Sequence, residues 1–321
     1  MNNRVARCTM FVTPTHPRFI DKAWSRGGDV YILDIEDSIA PAEKERCRTL
    51  IRESIQKANK GGASICVRIN KPFVEADLPY AVWPGVDRIM LPKTESAAEV
   101  RHAHEIICRL EKERGIPVGS IELYPMIESA LGAVNIYELL TATPRKIYAM
   151  GGAGGYDMAM NLGIEMFASF DQYAFPVAYV ALAAMALDIE ATGGVFVPNE
   201  SGRVDQADQA ATQAAALHAA DIHHAGALHP NFIQPLVQGL SATVEEIAWA
   251  NKVVVEFGRL MDVGESVGML DGKVVDPYEY DMAKRTLEWA AACAEKDAYK
   301  AQALARARAV GAETAAVTCG V

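Results

Sequence analysis

The sequence predicts a TIM (β/α)8 barrel followed by a C-terminal helical extension. Three observations carry that prediction. Short β-rich runs alternate with longer amphipathic stretches from the first residues onward, the pattern of parallel strands joined by crossover helices. About eight such units fit into about 230 residues, the size of one barrel. The first strand runs into Thr13-Pro14-Thr15-His16-Pro17 instead of the glycine-rich turn that opens a dinucleotide-binding sheet, which disfavours a doubly wound alternative.

The candidate strands are residues 9–12, 30–34, 65–69, 88–91, 122–127, 146–150, 195–197 and 225–228. Each strand end is followed by polar or turn residues, and the last two carry the weakest signals. Between them, Pro41 opens a helical pattern through Lys57, Glu95-Ser96 opens one through Arg114, and Asp205 opens one through Ala219. The longest apolar stretch, 173–187, contains Pro176 and is too short to span a bilayer, so it reads as a buried core helix. After Pro230 strand signals stop. Two helical stretches remain, 244–260 and 278–306, bridged by 264–276, and 307–321 is small-residue chain without an apolar period, read as a frayed tail. The expected organisation is a catalytic barrel over 1–235 and a helical extension over 236–321.

Composition limits the function. Of 321 residues half are apolar and 22% charged, which excludes a disordered chain, a collagen and a disulfide miniprotein. The 31 Lys and Arg against 41 Asp and Glu give a net charge of −10, which argues against nucleic-acid or anionic-membrane partners. Six cysteines without a C-x-x-C pair read as reduced, mostly buried thiols. Without a basic segment leading into an apolar one at the N-terminus, the expected location is the cytoplasm.

In a barrel the chemistry sits at the carboxyl ends of the strands. The ionisable residues predicted there are Asp34, Glu36 and Asp37, then Arg68, Lys93, Glu128 and Asp157. Carboxylates from separate strand ends, without nearby Cys pairs, offer hard oxygen ligands that favour Mg²⁺, with Mn²⁺ the other choice. Such an ion keeps waters that an α-oxo carboxylate can displace, and an arginine beside it would clamp the same carboxylate in bidentate fashion. Arg68 is placed for that, its other reading being a buried salt bridge to Asp34 or Glu36. Lys93 reads as an anion contact or as a structural pair with Glu36, and Asp34 as structural. His223 and His224 are adjacent and point to opposite faces of a strand, so they do not read as one metal site, and His229-Pro230 reads as a turn. The glycines of 151–155 suit a phosphate cradle or a close approach of backbone to substrate.

These residues lie in motifs that resemble the citrate lyase β-subunit-like and malyl-CoA lyase group of the HpcH/HpaI aldolase superfamily. The resemblance runs through Arg7-Cys-Thr-Met-Phe-Val-Thr-Pro, Leu33-Asp-Ile-Glu-Asp-Ser-Ile-Ala-Pro with Lys44, Val67-Arg-Ile-Asn, Leu91-Pro-Lys-Thr-Glu-Ser, Ile127-Glu-Ser-Ala, the Gly-x-x-Asp-x-Ala of 154–159, His229-Pro and Asp271-Gly-Lys-Val-Val-Asp. It implies a Mg²⁺-dependent carbon–carbon lyase of the oxo-acid-lyase type, cleaving a β-hydroxyacyl-CoA to an acyl-CoA and a 2-oxo acid or running the reverse condensation. Glu128 and Asp157 would hold the metal. Arg68, Asp37 and Asp276 would be catalytic, Asp276 arriving on the C-terminal lid of a neighbouring subunit in a homo-trimer or homo-hexamer. Arg7, Arg18, Lys22, Lys93, Gly154 and Gly155 would bind substrate. The lysine that the family carries before Ile-His-Pro is absent from 220–227, ahead of Leu228-His229-Pro230. Two alternatives therefore stay open: an aldolase acting on a free hydroxy-oxo acid, and a non-catalytic subunit of a complex.

Overall fold

The computed structural model describes residues 5–147, 155–163, 170–189 and 207–318. Strands and helices alternate from the start: β1 (Cys8–Val12), α1 (Pro17–Ala23), β2 (Val30–Asp34), α2 (Lys44–Asn59), β3 (Ser64–Arg68), α3 (Val74–Ala81), β4 (Arg88–Leu91), α4 (Ala97–Glu113), β5 (Glu122–Pro125), then α5 (Ala130–Val134) and α6 (Ile136–Leu140). Further on come α7 (Gly155–Leu162), α8 (Phe170–Met185), α9 (Ala207–Ala219), β6 (Ala225–Ala227) and α10 (Ile233–Gly239). The six strands form one parallel sheet in the order β5-β4-β3-β2-β1-β6, in which first and last strands in sequence are neighbours, as in a half-barrel. A parallel bridge from Leu123 to Ile147 continues the sheet beyond β5. The expectation of eight strands is thus met over six among the described residues. The strand expected at 146–150 is described only to its bridge, and the one at 195–197 lies outside the described residues.

Strands such as Val30-Tyr-Ile-Leu-Asp and Ser64-Ile-Cys-Val-Arg are buried along their whole length, as a parallel sheet covered on both faces requires. Alternate residues divide between two cores. Tyr31, Leu33, Ile65 and Val67 pack with the helices, while Val30, Ile32, Cys66, Met90, Tyr124 and Met126 form a second cluster on the opposite face. Helix α4 begins where the sequence signal puts it: Ser96 and Glu99 close a capping box, and Val100, Ala103, Ile107 and Leu110 line its buried face. Gly61 allows a close approach, since a Cβ there would lie 1.9 Å from the Trp24 carbonyl oxygen.

Two helical expectations need correction. The 173–187 stretch is not buried all round: α8 buries Val180 and Ala184 but exposes Leu182 and Met185, so it packs on one side only. The segment after 306 is not a frayed tail by backbone geometry, since its helix runs on to Thr318.

The chain divides into two compact units, one of Ala6–Leu240 with the chain from Lys300 onward, the other of Ser241–Tyr299 with Val5. The second holds α11 (Val244–Asp262), opened by a Thr243–Glu246 capping box, the antiparallel pair β7 (Gly268–Leu270) and β8 (Lys273–Val275), and α12 (Pro277–Thr318) as far as Tyr299. The hairpin is absent from the sequence expectation, which made 264–276 a connection. Its core is Ala250, Val253, Phe257, Leu260, Val275 and Ala283. Among the described residues no helix is long and apolar enough to cross a membrane.

Candidate active site

The period of a strand assembles the site. Asp34 continues the face of Val30 and Ile32, Arg68 that of Cys66, and Glu128 that of Tyr124 and Met126, so all three project at the carboxyl end of the inner face. Asp34 and Arg68 are register partners across β2 and β3. Arg68 Nε and Nη2 each donate to an Asp34 carboxylate oxygen at 2.7 Å, a bidentate pair, and the guanidinium sits 4.9 Å from the centre of the Phe11 ring. Arg68 Nη1 lies 2.8 Å from Glu36 Oε2, yet that oxygen has no aligned hydrogen-bond donor. Burial works against Asp34 ionisation, but Arg68 more than offsets it and holds the carboxyl below the ordinary range. The structure therefore realises the salt bridges to Asp34 and Glu36. A guanidinium has five N–H donors, so two remain beyond these three contacts for a ligand carboxylate.

The loop after β2 is held from outside. Lys44 Nζ donates to the carbonyls of Ile35 and Glu36 at 3.0 and 2.9 Å and to Asn70 Oδ1 at 2.5 Å. Buried Asp77 accepts both the N–H and the side-chain amide of Asn70 at 2.7 Å. The sequence motif includes Lys44 without a role for it, although a cation as the first residue of a helix opposes the helix dipole and is itself a signal.

Lys93 ties the cluster together. Its backbone is left-handed, φ 51°, and its N–H donates to Glu128 Oε2 at 2.8 Å. Its Nζ lies 2.8 Å from Glu36 Oε1, 3.1 Å from Asp37 Oδ2 and 3.6 Å from Asp157 Oδ1. Burial alone would lower the ammonium, but Glu36 and Asp37 outweigh it and keep Lys93 charged above its ordinary range. Glu128 is 6% exposed. Burial, with the neighbouring Asp157 and Glu36 carboxylates, pushes it up to about 7. Glu36 also rises, burial outweighing Arg68 and Lys93. Asp157 stands in the first turn of α7, a helix linked to α5 by the Ala130 N–H donating to Asn161 Oδ1 at 2.8 Å.

Of the residues expected at the mouth, Arg68, Asp37, Lys93, Glu128 and Asp157 come together. Arg7 does not. It precedes β1 at the amino end of the sheet and is 1% exposed, its guanidinium bound to Asp29 at 2.8 and 3.1 Å, away from the cluster at the carboxyl ends. Arg18 and Lys22 lie on exposed turns of α1, Arg18 stacked on Phe19 at 5.5 Å. Gly155 begins α7, and Gly154 lies outside the described residues. Asp276 belongs to the other unit, where Oδ1 accepts the Glu279 N–H at 2.9 Å and caps α12. His229 Nδ1 accepts the Asn231 N–H at 3.2 Å, the turn-forming role expected of it.

The model of the HpcH/HpaI aldolase/citrate lyase family matches residues 7–229. The citrate lyase subunit beta of Leuconostoc mesenteroides subsp. cremoris is 29% identical over 292 residues, 90% of this chain and 94% of that protein. The L-malyl-CoA/beta-methylmalyl-CoA lyase of Rhodobacter capsulatus is 26% identical over 294 residues, 85% of this chain and 91% of that protein. Among solved structures, CitE from Mycobacterium tuberculosis in complex with magnesium, acetoacetate and coenzyme A superposes with a TM-score of 0.69 at 23% identity, covering 90% of this chain and 99% of that one.

Proposed function

This chain belongs to the HpcH/HpaI aldolase/citrate lyase family, and from that premise we propose a Mg²⁺-dependent carbon–carbon lyase acting on a CoA thioester. The substrate is a β-hydroxyacyl-CoA of malyl-CoA or citramalyl-CoA type, cleaved to an acyl-CoA and a 2-oxo acid such as glyoxylate or pyruvate, or formed by the reverse condensation. The carrying observation is the placing of Glu128: a buried carboxyl at the carboxyl end of the sheet, held by the Lys93 N–H at 2.8 Å, in a cluster with the Glu36 and Asp157 carboxylates whose crowding a divalent cation would relieve.

The donor set fits Mg²⁺. Among the described residues no three His, Cys, Asp or Glu side chains converge as a closed metal cage. Mg²⁺ is commonly held by one or two carboxylates, with waters and substrate completing its shell, and Glu128 and Asp157 are that pair here. Bound there, the ion would supply Lewis-acid polarisation of the oxo-acid carbonyl. Arg68, fixed in orientation by Asp34, holds the oxo-acid carboxylate with its remaining N–H groups. Asp37, its side chain 54% exposed beside Lys93, hydrogen-bonds the reacting oxygens. Cleavage needs removal of the hydroxyl proton and stabilisation of an enolate, and Asp276 is the proposed acid/base.

The same reading extends the half-barrel to a closed eight-stranded barrel, makes 236–321 a lid and oligomer contact in a homo-trimer or homo-hexamer, and places the protein in the cytoplasm. The test is oxo-acid release from malyl-CoA and citramalyl-CoA with Mg²⁺. Glu128→Ala and Asp157→Ala should each abolish it, and full activity in both would overturn the assignment. Cleavage of a free hydroxy-oxo acid is the second reading, favoured by the lysine-free Ala225-Gly226-Ala227 of β6. A thermal shift produced by CoA esters and not by free hydroxy acids decides against it.

A further inference from the structure

Lys93 has two functions in one residue, and they separate cleanly. Its backbone N–H holds Glu128, while its ammonium lies among Glu36, Asp37 and Asp157. Its carbonyl is fixed as well, accepting from Lys71 Nζ at 2.7 Å. The left-handed φ of 51° is costly for a long side chain. It is maintained by partners on both sides of the peptide, and it aims the side chain back over the carboxylates.

We propose that Lys93 is a built-in counter-cation of the metal site: without metal its ammonium neutralises the carboxylate cluster, and it withdraws from Asp157 when a divalent cation binds. This rests on the reading of Glu128 and Asp157 as metal ligands. Charge and space both lead to it. An ammonium 3.6 Å from Asp157 Oδ1 occupies the side of that carboxylate facing the cluster. A divalent ion held by the same carboxylate is a like charge at contact range, and although the Lys93 and Asp157 side chains are 36% and 39% exposed, at that range their repulsion is only partly screened. The two cations therefore compete. Lys93 keeps Glu36 and Asp37 as partners after withdrawal, so its charge is never left uncompensated. Metal affinity is thereby held down, and the carboxylates of the metal-free protein are kept from repelling one another.

The distinguishing consequence is that removing Lys93 should strengthen metal binding. A merely structural lysine predicts weaker or unchanged binding, because its loss would loosen the ligands. Lys93→Gly is the informative substitution: glycine adopts the left-handed backbone without strain, so the N–H that holds Glu128 stays while the ammonium goes. Asparagine tolerates the same conformation, and Lys93→Asn carries the same expectation should the glycine variant fold poorly.

The experiment is calorimetric titration of the full-length protein with MgCl₂ in the absence of substrate, alongside Glu128→Gln. Lys93→Gly should bind Mg²⁺ about tenfold more tightly than the parent, and Lys93→Arg, which keeps the charge, should bind close to the parent. Unchanged or weaker binding by both Lys93→Gly and Lys93→Asn, with Glu128→Gln still impaired, overturns the counter-cation role and leaves the metal site standing. Parent protein that takes up no Mg²⁺, or binds it equally well as Glu128→Gln, overturns the metal-site reading and the inference with it.

Discussion

At the scale of single residues, Glu128 makes the sharpest prediction. Its folded value of about 7 stands above the ordinary 4.5. A carboxyl raised in the fold subtracts stability where it is forced to ionise. The penalty is absent below pH 4.5, grows through the interval, and is complete above about 7. Glu128→Gln keeps an acceptor for the Lys93 N–H and removes the titration. In chelator-containing buffer the variant should gain up to about 3 kcal/mol over the parent near pH 8 and nothing near pH 4.5, read by urea unfolding at the two pH values. Equal gains at both would mean that the carboxyl is not raised. Arg68 gives a second test. Lysine cannot reproduce a bidentate contact to Asp34, so Arg68→Lys should lower kcat/KM for oxo-acid release roughly hundredfold with little loss of stability. Glu128 and Arg68 are legible in the sequence because each sits in a short motif at or just past a strand end, and Asp157 because its motif opens α7. The structure separates Arg7 from that cluster for a related reason: its motif opens β1, and the residue before a parallel strand lies at the opposite end of the sheet.

Among elements, the strands and the helices with cap signals are the legible part. Ser96 with Glu99 and the buried spacing of α4 place that helix directly. The β7–β8 hairpin shows what motif reading passes over. Asp271-Gly272 is a two-residue loop between Leu270 and Lys273, and both residues have positive φ, 49° and 79°. An Asp-Gly pair of that kind is a strong hairpin signal, hidden here because the same residues belong to a family motif. Gly272 is open to solvent, and a Cβ added to it would meet nothing within 4 Å. Gly272→Ala should then cost only the left-handed strain, about 1 kcal/mol in urea unfolding, whereas Asp271→Asn should cost little. A loss of several kcal/mol would mean a packing role at Gly272. Helix α8 is the opposite case: its apolar run reads as wholly buried, but burial is a property of neighbours, and a uniformly apolar segment carries no period to say which face they cover.

Across the sheet unit as a whole, buried charge is divided between its two ends, and the division separates stability from chemistry. The carboxyl ends hold Asp34, Arg68, Glu36, Lys93 and Glu128, a cluster rich in carboxylate with a raised acid inside it. The amino ends hold carboxylates that are each met by one or two cations. Arg7 and Lys300 meet Asp29, Arg88 and Lys146 meet Glu122, and Arg145 meets Glu111 at 2.8 Å with both side chains 0% exposed. Glu111 also accepts the Gly119 and Ile121 N–H groups at 2.9 and 3.0 Å, so its carboxylate anchors the turn that leads into β5. No sequence pattern marks these pairs, since their members lie far apart in the chain and meet only through the parallel order of the strands. A balanced, fully buried pair resists the loss of one partner poorly, because the other is left charged without water or counter-ion. Glu111→Gln should therefore lower stability by about 3–5 kcal/mol in chemical unfolding, while kcat and KM for oxo-acid release at a temperature where the variant is folded stay at the parental values. A variant of normal stability with altered kcat would show that the amino end of the sheet is coupled to the reaction, and the division by ends would not hold.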